Sequence, residues 1–498
     1  MRQELAWIEK ANQALMSISR PGLALWHALQ DAVDRLLDHI FGSPAPAEEP
    51  PAVLPMVVLP PSPAPGVHTM RRRCGDALIV DAARGQLTLL EHGAPLIEQA
   101  SASVTYVCAG EQTALSSAGP DATVEETDDA LCIRRQDGCL ALRWRISLAE
   151  PHELTLEAQN IGEVPVQAIQ LRVLEVSAAA GGRLALSAAP RRWTFYQNGW
   201  ASWSPTFARR LGESIYTQPD DEQFRRMHLP HGEPPAEVLS SEWMTVLYGR
   251  GAGRPAGRAM LCGFISGAAQ LAEIRLCASA ETFAGLSAIC HADGVALAPG
   301  ETLRSERLLV SGGGDPLALL ELYAGRLGQE MTARIPAGAP TGWCTWYYFF
   351  GENGAAEVLE NLAEMDDEKL PLDYVIVDDG YQQTIGDWLT LAPDRFQDMA
   401  GLAASIHDSG RRAGIWVAPF GLAADSETYA AHPEWVLRDA AGAPIVAWQH
   451  FGQDIYALDL THPETAPWLA TVFQTMRQQW GFDLFKIDFI FAASAAGR

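Results

Sequence analysis

The chain of 498 residues has no apolar run long enough to cross a bilayer and does not begin with a charged-then-apolar segment followed by a small-residue cleavage site. Neither a membrane span nor a secretory leader is expected, and the reading is cytoplasmic. Basic residues are also scarce: 36 Lys and Arg stand against 61 Asp and Glu, a formal charge of −25. Nucleic acid and anionic membrane surfaces need concentrated positive charge, so both are excluded as partners. A neutral ligand such as a sugar is compatible with this balance, and the sequence leaves room for a homo-oligomer. The eight cysteines (74, 108, 132, 139, 262, 277, 290 and 344) show no CxxC spacing. Reduced, buried thiols are the expectation. No HxH or HExxH pattern is present, so a metal site is not expected.

What is present divides the chain by its periodicity. Residues 1–42 carry apolar positions at helical spacing (Trp26, Leu29, Val33, Leu36, Ile40), which predicts short amphipathic helices. Residues 43–67 are dominated by proline and alanine and read as an extended linker. Over 68–312 the period becomes two, most clearly at Leu140, Leu142, Trp144, Ile146 and Leu148, which predicts a large antiparallel β-domain of sandwich type. A helical connector is expected over 313–340, with Leu320, Tyr323 and Leu327 on one face. From 341 to 498 short apolar runs alternate with helical patterns. Strands are expected at 342–346, 373–378, 414–419 and 482–490, and helices near 355–366 and 398–409. Thr461 and Glu464 have capping-box spacing ahead of a last helix that Gly481 closes. Repeated β-then-α order means parallel strands, and four of them amount to the first half of a (β/α)8 barrel.

Polar residues cluster where those strands end. Lys486 and Asp488 are two apart and so share one face of a strand. A carboxylate nucleophile kept ionised by a neighbouring ammonium is one reading of the pair; a buried ion pair tying layers of the sheet is the other. Asp378 and Asp379 end the second strand before Gly380 and could accept hydrogen bonds from the hydroxyls of one sugar ring, or cap a helix. Trp343, Trp346, Tyr347, Tyr348 and Trp416 crowd the same ends, and aromatic walls beside carboxylates suit the apolar faces of sugars. Within the β-domain, Asn198-Gly199-Trp200-Ala201-Ser202-Trp203-Ser204 is an unusually aromatic turn, for which a structural tryptophan corner is the plain alternative.

Taken in order, Trp343-x-x-Trp346-Tyr347, Asp378-Asp379-Gly380, Ile415-Trp416, Lys486-x-Asp488 and the Asn198–Ser204 stretch resemble glycoside hydrolase family 36. The resemblance covers roughly residues 70–498. It implies a β-supersandwich followed by a (β/α)8 barrel, and hydrolysis of terminal α-galactosides with retention of configuration. Asp488 would be the nucleophile, and no metal or organic cofactor would be needed. Lys486, Asp378 and Asp379 would hold ring hydroxyls, Trp346, Tyr347 and Trp416 would shape the sugar pocket, and Trp200 or Trp203 would reach over from the β-domain. The family's acid/base aspartate follows a sixth strand, and no residue up to Arg498 corresponds to it. A fragment with an open strand edge and little glycosidase activity of its own is the resulting expectation. Tyr381 stands where the family often has Trp, and Val417-Ala418-Pro419 lacks a Glu found in many larger members. The resemblance also admits a raffinose-synthase-type transglycosidase or an α-N-acetylgalactosaminidase, and a non-catalytic carbohydrate-binding protein is the reading of another class.

Overall fold

The computed structural model describes residues 67–71, 77–186 except 92 and 150, 189–200, 204, 206–212, 238–251, 257–495 and 497. The helices expected over 1–42, nearly all of the Pro/Ala-rich stretch, Cys74 and Trp203 lie outside these residues.

The alternating segments form two ten-stranded sheets in which every neighbour pair is antiparallel. The strand Leu140–Ser147 shows how: Leu140, Leu142, Trp144 and Ile146 are fully buried while Ala141, Arg143 and Arg145 between them are not. His152–Asn160 beside it repeats the pattern with Leu154, Leu156 and Ala158 inward. Inner faces of both sheets contribute to one core, in which Val104, Leu171 and Leu276 of one sheet join Trp144, Phe195 and Met260 of the other. Each such buried aliphatic side chain contributes roughly 1.5–3 kcal/mol against conformational entropy. Cys108, ending a strand of the first sheet, is disulfide-bonded to Cys139 at the turn before Leu140 of the second. This departs from the expectation of thiols throughout; Cys132, Cys262 and Cys290 are free and buried as expected.

The segment expected to connect the domains is more closely tied to the sandwich than a connector. Its helix Pro316–Glu330 is capped by Asp315, whose carboxylate accepts from Leu317 N, and seats Leu319 and Tyr323 against Leu261 and Leu309 of the second sheet. Tyr323 Oη donates to Phe264 O at 2.6 Å.

Four parallel strands follow, Gly342–Cys344, Tyr374–Val377, Arg412–Val417 and Leu484–Ile487, paired in chain order. The intervening helices Ala355–Asp367, Met399–Asp408 and Thr465–Gln474 bury Val358, Leu362, Ile406 and Val472 in a shared core with Val375, Val377, Ile415 and Val417. The sheet is open: among the described residues the first and fourth strands are each paired on one side only, and Ile487 is exposed. Trp200, from the turn of the β-domain, packs against this second core.

Three local expectations change. The first strand stops at Cys344, and Trp346–Phe349 turn into a short helix, where Phe349 N donates to Thr345 O (3.0 Å). The capping box does not form: Asp459 Oδ1 takes the Thr461 hydroxyl at 2.6 Å, and Glu464 is itself the residue preceding the helix. Between the third and fourth strands lies an unanticipated antiparallel sheet of Gly421–Ala423, Val446–His450 and Gln453–Ala457. Gly481 does adopt the left-handed conformation (φ +87°) that ends the last helical stretch. Among the described residues no helix is long and apolar enough to cross a membrane.

Candidate functional site

The second strand delivers its two aspartates into a framework made by the loop after the first strand. Thr345, fully buried, accepts from Asp378 N through its hydroxyl (2.9 Å), and Asn353 Nδ2 donates to Asp379 O (2.6 Å). Gly380 turns the chain at φ +114°, where a Cβ would lie 2.4 Å from Gly351 O. Only glycine satisfies both the dihedral and the close approach.

The carboxylates then diverge. Asp378, 1% exposed, accepts from Lys486 Nζ (2.7 Å) and Cys344 Sγ (3.0 Å) at Oδ2 and from Asp379 N (3.0 Å) at Oδ1. Asp379, 3% exposed, accepts from Gln382 Nε2 (2.6 Å) at Oδ1 and is 2.8 Å from His450 Nε2 at Oδ2. A carboxylate can only accept in such a contact, so His450 Nε2 carries the proton. Successive residues at a strand end point opposite ways, which is why neighbours in sequence serve different partners.

Lys486 sits beside Trp416 in the parallel register. Partial burial works against its charge, but the hydrogen bond and the negative charge of Asp378 outweigh that, helped by Asp488, and hold the ammonium above its ordinary pKa. Cys344 is pushed up to about 12, by burial first and then by Asp378. It therefore stays a thiol, able to donate to that carboxylate.

Asp488 follows the last residue of the fourth strand. Its backbone N–H donates to Val417 O (2.9 Å), prolonging the ladder by one bond. Its carboxylate accepts from Trp416 Nε1 (3.1 Å, Oδ2) and from Phe489 N (2.8 Å, Oδ1), the latter made by a residue in the left-handed region (φ 50°). Two fixed donors thus set the orientation of this carboxylate. The ammonium's direct partner is Asp378 rather than Asp488, unlike the simple pair read from the sequence.

The structure thus brings Lys486, Asp378, Asp488 and Trp416 together. Trp416 is 2% exposed, wedged edge-on between Trp388 and Phe489, so it orients a carboxylate rather than offering a face to ligand. Trp346 is half-buried against Phe350 and Phe451, Tyr347 is 73% exposed, and Trp200 packs from the β-domain. Sequence reasoning missed Cys344, Gln382, Asn353 and His450. Only His450 left a usable trace, in the alternation of Val446, Trp448 and His450 before a two-residue turn at Phe451-Gly452. Among the described residues, the three-residue group with metal-ligand geometry is His432, Glu434 and Glu464, none of which belongs to this cluster.

Residues 333–495 match the family model described as the glycosyl hydrolases family 31 TIM-barrel domain. The chain is similar to the bifunctional alpha-galactosidase/sucrose kinase AgaSK of Mediterraneibacter gnavus (27% identity over 110 residues, 21% of this chain and 11% of that protein). It is also similar to the alpha-galactosidase AgaA of Geobacillus stearothermophilus (28% over 102 residues, 19% and 13%). The solved GH36 alpha-galactosidase AgaA from Geobacillus stearothermophilus in complex with raffinose superposes with a TM-score of 0.56 at 12% identity, covering 84% of this chain and 65% of that one. That likeness is one of fold. The chain covers less than two thirds of each of these relatives.

Proposed function

We propose that the chain carries the nucleophile site of a retaining α-galactosidase of the glycoside hydrolase family 36 type, its parallel sheet being the first four strands of a (β/α)8 barrel. The observation that supports this best is the fixing of the Asp488 carboxylate by Trp416 Nε1 and Phe489 N at a strand end, beside the Lys486–Asp378 pair. In this reading a terminal α-galactose lies with C1 over Asp488. The carboxylate attacks C1 as the glycosidic bond breaks, forming a covalent galactosyl-enzyme with inverted configuration. Water, attacking from the opposite face, then releases the sugar with net retention. Lys486 donates to a ring hydroxyl, and the oxygens of Asp378 accept from hydroxyls with their remaining lone pairs. Trp346 and Tyr347 supply apolar surface beside the ring, and Trp200 closes it from the β-domain. Protonation of the leaving group is assigned to no residue of this chain.

5-Fluoro-α-D-galactosyl fluoride tests the reading, because fluoride departs without an acid and the second fluorine slows hydrolysis of the intermediate. Mass spectrometry of the digested protein is expected to find the sugar on the peptide carrying Asp488, and Asp488→Asn to abolish the label. Galactose binding by calorimetry with no label at any dose would instead establish a non-catalytic carbohydrate-binding protein.

A further inference from the structure

The tripeptide His-Pro-Glu occurs at 432–434 and again at 462–464. The first copy enters the short helix Pro433–Trp435, and the second leads into the helix Thr465–Gln474, which Glu464 immediately precedes. Backbone bonds clamp the two segments together: Asp459 N donates to Trp435 O (2.7 Å), Leu437 N donates to Ala457 O (2.9 Å), and Val436 and Leu458 form a β-bridge. A proline in each copy fixes φ between the histidine and the glutamate, which stiffens the frame further. Trp435, Val436, Leu458 and Leu469 make a small core beneath it, separate from the one that holds Trp416.

This frame gathers groups that can ligate a metal ion. One ligand atom each of His432, Glu434 and Glu464 lie within 4.8 Å of one another. His432 Nδ1 is 3.2 Å from Glu434 Oε1. A single buried tryptophan orients two of the three: the His432 ring lies flat on Trp435 (3.9 Å between centroids, 9° between planes), and Trp435 Nε1 donates to Glu464 Oε2 (3.4 Å). Metal-binding side chains are held in this way, by neighbours that fix their planes and their free atoms.

Charge points in the same direction. Two carboxylates drawn this close repel each other. A protonated His432 offsets one negative charge, whereas a divalent cation offsets both and takes the place of the proton between His432 and Glu434. One nitrogen and two oxygens suit Zn²⁺, with water in the fourth position; Ca²⁺ and Mg²⁺ take oxygen ligands. Bonds of roughly 2.0–2.2 Å call for a slightly tighter cluster, which the exposed glutamates reach by side-chain rotation while His432 stays on Trp435.

We propose that His432, Glu434 and Glu464 form a Zn²⁺ site that fastens the turn at 433–435 to the start of the helix Thr465–Gln474. The site is independent of the Asp488 reading and departs from the expectation that the chain has no metal site. Calorimetry of the whole chain, stripped with EDTA and titrated with ZnCl₂, is expected to show one site. His432→Gln and Glu464→Gln, which nearly preserve side-chain size, are each expected to weaken it by more than about tenfold; Trp435→Phe, which keeps a ring under His432 and removes the N–H on Glu464, by about tenfold. His407→Gln is expected to leave the affinity unchanged, because the His407–Asp483 pair has Arg477 beside it rather than a second carboxylate. CaCl₂ is expected not to compete. Melting curves in EDTA check that each variant is folded, and the two ligand variants serve as alternates for each other. The inference is overturned if the chain takes up no Zn²⁺ at millimolar concentration, if a folded ligand variant binds as tightly as the parent, if His407→Gln loses as much as His432→Gln, or if Ca²⁺ binds as tightly as Zn²⁺.

Discussion

The sandwich and the parallel sheet place charge in opposite ways. On the sandwich, arginines and carboxylates lie mostly on outward sheet faces and neutralise one another there, as Arg134 does with Glu125, Arg135 with Asp121 and Arg304 with Glu157. A hollow of about 730 Å³ on its surface is lined by such pairs. Exposed pairs of this kind contribute 0–1 kcal/mol each, and the fold rests on its apolar interior. In the parallel sheet, Asp378 and Asp379 are buried at strand ends, each held by side chains from distant parts of the chain. Desolvating a carboxylate is costly, and a region that does so twice in succession, beside a cation, has spent stability on a chemical arrangement. The difference accords with the proposed reading, in which the chemistry belongs to the smaller region and structural support to the larger one.

The contrast can be broken or sharpened by mutation. Trp144→Ala, in the centre of the sandwich core, is expected to cost about 4 kcal/mol in denaturant unfolding while leaving sugar affinity per folded molecule unchanged; a fall in that affinity would mean the two regions are not separable. The sandwich buries carboxylates too, Glu242, Glu273 and Glu306, and Glu273 is the most deeply buried of them. Burial alone would raise its pKa, but His291, Arg275 and Ser240 bring it down to about 2 from 4.5. A depressed carboxylate stabilises the fold fully above its unfolded pKa. This contribution, about 3 kcal/mol, is therefore lost as pH falls from about 4.5 through about 2. Glu273→Gln should flatten the melting temperature over that window, and an unchanged slope would remove Glu273 from the account.

In the parallel region, Lys486→Met leaves Asp378 short of its cation. Because the lysine is partly exposed, the cost is expected to be about 2 kcal/mol, with loss of galactoside binding. Adding Asp378→Asn should recover stability but not binding, a separation a purely structural ion pair would not show. The smallest effect expected is that of Trp416→Phe, which keeps most of the buried ring and removes the N–H on Asp488. About 1 kcal/mol should appear as slower labelling of Asp488 by the fluorosugar, with folding stability nearly constant.

Much of this division was legible in the sequence because it is written in periodicity. Leu140, Leu142, Trp144 and Ile146 alternate without interruption, and the runs ending at Val377 and Val417 are short and apolar as buried parallel strands must be. Asp488, Lys486, Asp378 and Trp416 were accessible because a polar residue ending an apolar strand stands out. The hairpin 446–457 was not, since its turn is Phe451-Gly452 rather than Asn-Gly and its strands are five residues each. With it His450 was missed, and so was the opposite orientation of Asp378 and Asp379. The disulfide joins cysteines 31 positions apart, a separation that carries no local signal. Thr461 and Glu464 show the converse, where correct spacing was overruled because Asp459 lay closer to the hydroxyl.

Gly380 bears on how such a site can change. Any side chain there would strike the carbonyl of Gly351, whose loop also carries Asn353 and adjoins the aromatic turn Trp346–Phe349. The loop after the first strand and the end of the second are therefore mutationally locked to each other. Libraries that vary either one alone are expected to return mostly misassembled sites, and the hairpin tip belongs to the same unit, because Phe451 lies against Trp346 and beside Gly351 while His450 holds Asp379.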